Sequence, residues 1–371
     1  MDRYQERQQL PKIRMVYPVL EPMLLRAGTR ARQDAFSGKN AAEFGGWREG
    51  AVRLLGELLG LSRMEPAPGA EAVTDEVVEL EDHILREHLR IQTEPGVWLT
   101  AYILRPAGSH ERTPVVLCPH GHKGYGKYSV AGCYEYPAVM EKIQHYHWDY
   151  GRRIARLGYV AVCPDMRGFG ERKSCVEYTL ALPEAIKCEC TELTHMGAFL
   201  GITFLGMACW DLMRLVDYIV SRKGWDGSHI YVCGFSSGGM QALYLTALDE
   251  RIRGALISGY LYGIRDSLIR MNENCSCNYV PHLLEHFDMG DIASMIAPRP
   301  LWIQSCREDR LNGHRGMENV YEQVDILRRV YDRLGAGERV YHEVCPGGHQ
   351  FHPENLEEAM GFLEGSYSHE G

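Results

Sequence analysis

Ile230-Tyr231-Val232-Cys233-Gly234-Phe235-Ser236-Ser237-Gly238-Gly239 is the stretch on which the reading of this chain turns. A short apolar run ends in a G-x-S-x-G turn, and Met240 to Leu248 continue with helical spacing. A serine held between a buried strand and a helix sits on a sharp, strained turn, and flanking glycines let the two elements pass closely. The turn lifts the Ser236 hydroxyl out of the sheet, while the backbone N–H of Ser237 opens a helix and can face an anion. The glycines put Ser236 at the apex, which makes it the expected nucleophile, with Ser237 the rival serine.

Outward from this turn, similar apolar runs recur at Pro114–Cys118, Tyr159–Cys163, Ala255–Ser258, Pro300–Gln304 and Val340–Val344. Continuous apolar runs mark strands buried on both faces, as in a parallel sheet. Helical spacing separates them at His147–Leu157, Met207–Arg222, Met240–Leu248 and Asn319–Leu334. Ahead of these, Glu87, Leu89 and Ile91 alternate with polar residues, as do Val97, Leu99, Ala101 and Ile103 after Glu94-Pro95-Gly96. Period two around a Pro-Gly break predicts an antiparallel hairpin at a sheet edge. The expected class is α/β, a mostly parallel central sheet flanked by helices.

A serine hydroxyl needs a base, and in strand-borne serine sites the chain order is Ser, Asp or Glu, then His. His349, in Pro346-Gly347-Gly348-His349 after the last strand run, has that position. His352 lies past the turn and His342 inside the strand, so both are expected to be structural. The acid belongs after the preceding strand, and Asp309 is the choice, to fix the tautomer of His349. Glu308 reads as a solvated loop charge, and Asp266 is the outside candidate. A second oxyanion N–H is expected from the loop Cys118-Pro119-His120-Gly121-His122, with the His122 N–H as donor beside that of Ser237. The His120 side chain is expected to brace this loop.

With His120-Gly121-His122, Pro164-Asp165-Met166-Arg167-Gly168-Phe169-Gly170-Glu171, the serine turn, Ala297-Pro298-Arg299-Pro300 and Gly347-Gly348-His349 together, the chain resembles α/β-hydrolases of the dienelactone-hydrolase and acetyl-xylan-esterase-like branch from about Arg86 to Leu363. The resemblance implies an α/β-hydrolase fold and a carboxylic ester hydrolase with a Ser236–Asp309–His349 triad. Two departures limit what it carries. Dienelactone hydrolases use a cysteine nucleophile, and the sugar deacetylases of the branch have Arg-Gly-Gln where this chain has Arg167-Gly168-Phe169. Neither substrate transfers. A peptidase or amidase of the same fold, or a non-catalytic binding scaffold, are the alternatives.

Residues 1–75 read as a helical N-terminal arm, with helical spacing at Tyr17–Ala27 and Phe44–Leu61 before the linker Glu65–Ala70. It is expected to cap the hydrolase domain, 76–371, or to share in a homodimer interface. That domain carries insertions near 172–196 and 261–293, and their bulky residues Tyr178, Leu180, Leu182, Met196, Tyr262, Met271, Tyr279 and His286 are expected to wall a pocket for short acyl groups on sugar or aryl esters. A net charge of -9 without a Lys/Arg block argues against a nucleic-acid partner. The apolar stretch Gly197–Trp210 is too short to span a bilayer, and the charged N-terminus lacks a signal-like apolar core, so neither membrane nor secretion is expected. Twelve cysteines in such a chain read as reduced, cytoplasmic thiols. The pairs Cys188/Cys190 and Cys275/Cys277 lie one in each insertion and could meet, but C-x-C is not the usual C-x-x-C knuckle, so no metal and no cofactor are expected.

Overall fold

The computed structural model describes residues 19–69, 72–108, 112–174, 187–271 and 274–366. Among these, nine strands build one sheet: β1 Ala72–Glu79, β2 Ile84–Glu94, β3 Val97–Pro106, β4 Thr113–Leu117, β5 Val160–Pro164, β6 Trp225–Phe235, β7 Ile252–Ser258, β8 Leu301–Cys306 and β9 Val340–Cys345. Their order is β1-β2-β3-β5-β4-β6-β7-β8-β9. The first three strands pair antiparallel with their neighbours, and β5, β4 and β6 to β9 run parallel.

Where the parallel strands cross the middle of the sheet they are apolar because both faces are covered, while the outermost, β9, carries half-buried Tyr341, His342 and Glu343. Val115, Leu117, Val160, Val162, Ile230, Val232, Ala255 and Ile257 point into one core. The residues between them, Val116, Cys118, Ala161, Cys163, Tyr231, Cys233 and Leu256, point into the other. The strand-end thiols of Cys118, Cys163 and Cys233 are thus core filling and fully buried.

Among the described residues, two α-helices precede the sheet, α1 Leu20–Thr29 and α2 Ala41–Leu59. Between β4 and β5 come α3 Lys127–Val130, α4 Pro137–Tyr146 and α5 Tyr150–Arg156, and between β5 and β6 come α6 Cys190–Leu200 and α7 Phe204–Ser221. The remainder are α8 Ser237–Leu248, α9 Leu283–His286, α10 Met289–Ser294, α11 Met317–Arg333 and α12 Leu356–Glu364. The helix expected from His147 is shorter at its start. His147 takes φ 57° and its N–H bonds the Ile143 carbonyl, which closes α4 rather than opening α5. No single helix among the described residues is long and apolar enough to cross a membrane.

The arm is held by specific contacts. Leu55 and Leu59 of α2 are fully buried in the larger core. The Arg32 guanidinium makes a bidentate pair with Asp291 of α10, at 2.6 and 2.8 Å, and His286 of α9 pairs with Asp34 at 2.7 Å. The arm therefore docks on the second insertion and braces it from behind.

Candidate active site

Three parallel strands deliver the expected triad to one edge of the sheet. Ser236 follows β6 directly, Asp309 lies three residues past β8, and His349 lies four past β9. Ser236 takes φ 59° and ψ −121°, a conformation that costs a non-glycine residue about 1–3 kcal/mol and persists only when its surroundings enforce it. The Ser236 N–H donates to the Ser258 carbonyl and its own carbonyl accepts from Met240, both at 2.9 Å. A Cβ on Gly234 would come within 2.1 Å of the Gly238 carbonyl oxygen, and one on Gly238 within 2.1 Å of the Pro119 oxygen. Those two glycines are what the close passage of strand, helix and the loop after β4 demands.

His349 Nε2 lies 2.8 Å from Ser236 Oγ, and His349 Nδ1 lies 2.6 Å from Asp309 Oδ2. The buried Asp309 is fixed in turn, its Oδ1 accepting the Leu311 N–H at 2.8 Å. The Phe235 ring packs against the His349 ring at 4.6 Å between centroids. The alternatives fall elsewhere. Asp266 accepts the Arg315 N–H at 2.8 Å, and Glu308 is exposed. His342 pairs with Ser305, and His352 with the Pro346 carbonyl.

The loop after β4 runs beside the serine, where a Cβ on Gly121 would stand 3.3 Å from Ser236 Cβ. His120 braces this loop. Its Nε2 accepts the Met166 N–H at 3.0 Å, so Nδ1 carries the proton and donates to the Gly121 carbonyl at 2.8 Å. Complete burial pushes its pKa down to about 4, which keeps this donor–acceptor arrangement neutral. His122 lines the same cavity as Ser236 and Ser237. Phe169, at the Gln position of the sugar deacetylases, packs on both histidine rings, with centroids 4.9 and 5.3 Å away.

Behind the loop lies a charge network that the sequence did not announce. Asp165 accepts from the buried Lys127 side chain at 2.6 Å and from its backbone N–H at 2.7 Å. Arg167 and Arg172 converge on buried Asp211, which also accepts from Thr93. Burial alone would raise the Asp211 pKa, but Arg172 and Arg167 outweigh it and bring it from 3.8 to about 2.

A cavity of about 880 Å³ opens over the triad, lined by Phe235, Tyr260, Tyr262, Trp148, Leu311 and the histidines, with Lys123, Lys142, Lys187 and Asn274 also on its wall. No carboxylate is among the described lining residues. Of the wall residues expected from the insertions, Tyr262 lines this cavity. Tyr279 borders a second cavity, against the arm, while His286 pairs with the arm and Met196 is largely exposed. Met271 lines neither. Tyr178, Leu180 and Leu182 lie outside the described residues. Tyr146, which ends α4, and Trp148 also line this cavity; Trp148 falls in the first turn of the helix expected from His147, a span that gives no sign of a pocket wall.

The insertions do meet. Donor atoms of His122, Cys188, Cys190 and Cys275 all lie within 4.8 Å of one another. His122 Nε2 is 3.5 Å from Cys190 Sγ and 3.6 Å from Cys277 Sγ. Burial disfavours a charged His122, yet the neighbouring thiols of Cys277, Cys188 and Cys275 outweigh it and push its pKa well up. Contact with Cys188 and the other two thiols holds Cys275 well down and pushes Cys190 up.

A mostly parallel sheet with a strained serine between strand and helix is the architecture of the α/β-hydrolases. The Abhydrolase family profile matches residues 15–322, and the chain belongs to that family. It is similar to YtaP of Bacillus subtilis, assigned as a hydrolase, with 25% identity over 324 residues covering 85% of this chain and 97% of that one. A Bacteroides fragilis protein assigned as an acetyl xylan esterase superposes with a TM-score of 0.71 at 20% identity, covering 90% of this chain and 84% of its own. A glucuronoyl esterase from Solibacter usitatus gives 0.60 at 15% identity, covering 98% and 100%. At these identities the two structures share the fold with this chain.

Proposed function

We propose that this chain hydrolyses carboxylic esters through an acyl-enzyme formed on Ser236. The observation that carries the reading is the unbroken relay from Asp309 Oδ2 to His349 Nδ1 and from His349 Nε2 to Ser236 Oγ, at 2.6 and 2.8 Å, at the floor of a substrate-sized cavity. His349 takes the hydroxyl proton as Ser236 attacks the ester carbonyl, and Asp309 stabilises the imidazolium that results. The negative charge that develops on the carbonyl oxygen goes to the N–H groups of Ser237, at the head of α8, and of His122. His349 protonates the departing alcohol and then activates the water that releases the acid.

Ester rather than amide substrates are favoured because two of the similar solved proteins are esterases by name. The aromatic share of the wall suits a small acyl group near the serine. Lys123, Lys142, Lys187 and Asn274 suit a hydroxyl-rich or anionic alcohol better than an alkyl chain. A panel of esters with varied acyl length tests this. Acetyl esters are expected to be cleaved far faster than octanoyl esters, since each misfitting methylene costs about 1–3 kcal/mol. A kcat/KM that climbs steadily from acetyl to decanoyl would reject the short-acyl reading.

A further inference from the structure

We infer that His122, Cys188, Cys190 and Cys275 hold a tetrahedral zinc ion in the wall of the active-site cavity. The donors come from three separate segments: the loop after β4, the start of α6, and the turn around Ser276–Asn278. A buried thiol that merely fills space can stand alone among apolar side chains, as Cys209 does. Four thiols gathered around one imidazole, all free of disulfides, are a different arrangement. Zinc takes sulfur at about 2.3 Å and imidazole nitrogen at about 2.0–2.1 Å in a tetrahedron, which sets N···S separations between ligands of about 3.5 to 3.6 Å. The His122 Nε2 distance of 3.5 Å to Cys190 matches that spacing, and the four donor atoms all lie within 4.8 Å of one another.

The surroundings are those of a held ligand set. Asn278 Nδ2 lies 3.6 Å from Cys277 Sγ and donates to the Cys275 carbonyl at 3.0 Å, while its side-chain oxygen accepts from Tyr260 at 2.9 Å. Thr191 and Ser276 pair across the two insertions at 3.3 Å. Such outer contacts orient ligands and tune the metal. The donor set is soft, rich in thiolate and closed, which selects zinc over oxygen-seeking cations. On binding, the four donors release to solvent whatever protons they still carry, His122 included, leaving thiolates and a neutral imidazole on the ion. Coordination uses only the imidazole of His122 and leaves its backbone N–H for an oxyanion. This replaces the expectation of no metal. The spacing within each pair matters less than the meeting of two pairs and a histidine, which neither pair reveals alone.

Metal content tests the inference whatever ester the enzyme cleaves, so it can fail or stand separately from the esterase reading. Full-length protein from zinc-supplemented cells, purified without chelator or immobilised metal, is expected to carry one zinc per chain by elemental analysis. Cys188→Ser and Cys275→Ser are each expected to lose it, and Cys209→Ala, a buried thiol of α7, to keep it. Should the serine variants not fold, cobalt(II) added to the reduced, metal-stripped wild type is expected to give an intense thiolate-to-cobalt charge-transfer band. The inference is overturned if the fully reduced wild type holds no zinc and gives no such band. It is also overturned if folded Cys188→Ser and Cys275→Ser keep full zinc, or if mass spectrometry finds these cysteines paired as disulfides.

Discussion

The triad and the thiol cluster face the same cavity but are built in opposite ways. Ser236 follows β6 directly, and Asp309 and His349 lie on turns only three and four residues past β8 and β9, so the pairing of β6 through β9 brings all three to one place on the sheet edge. Cys188, Cys275 and His122 stand on loops and Cys190 opens α6, and no strand pairing fixes how these segments meet. A sheet-borne constellation is rigid because its geometry is inherited from the core. A loop-borne one needs its own fastening: here the arm behind the second insertion, the Asp165 and Asp211 networks beside the first, and the donor cluster between them.

Substitutions in the two regions should therefore differ in size. Ser236→Ala is expected to lower kcat by about 10⁶ without altering the melting temperature appreciably, the scale seen when a triad serine is removed. Turnover retained in Ser236→Ala but lost in Ser237→Ala would move the nucleophile by one residue. Asp309→Asn is expected to cost about 10⁴ in kcat by favouring the wrong tautomer of His349. Asp266→Asn should leave kcat near wild type, since its carboxylate is turned to Arg315. The reverse pattern would put the acid after β7 and break the assignment.

Loosening the loop-borne region should act more gently. Removal of metal by a chelator is expected to lower kcat/KM by up to about 10²-fold, the cost of a small misplacement of catalytic groups, while Ser236 keeps its partners. A loss as large as that of Ser236→Ala would mean that the cluster takes part in the chemistry itself. The smallest effect is on acid stability. The folded-state pKa of Asp211 is about 2, below the ordinary 3.8, so its contribution is full above about pH 4 and fades as pH falls towards 2. The melting-temperature advantage of wild type over Asp211→Asn should shrink across that interval. An advantage that stays constant from pH 4 to pH 2 would show that the carboxylate charge contributes nothing there.

The same contrast explains what could be read from the sequence. The apolar runs of β4 to β8 announced strands because burial on both faces leaves few polar positions, and strand order pointed to Ser236, Asp309 and His349. Strand β1 gave no such signal. Nearly every residue from Ala72 to Glu79 is exposed, and the strand is held by backbone pairing with β2 and by Asp75 against Arg90. The pocket walls were only partly legible, since whether Tyr262 or His286 faces the substrate depends on how the arm clamps the second insertion. The meeting of the cysteine pairs was legible from their places in the two insertions, but nothing in their spacing announced the His122 imidazole that joins them.

The central claim is that Ser236 is an activated nucleophile, and covalent labelling tests it most directly. A fluorophosphonate probe should react once per chain with the wild type, and peptide mass spectrometry should place the adduct on Ser236. Labelling should fall steeply in His349→Ala, which keeps the serine but removes its base. An unlabelled wild type, or an adduct on any other residue, would contradict the account and leave a triad-shaped scaffold without the chemistry.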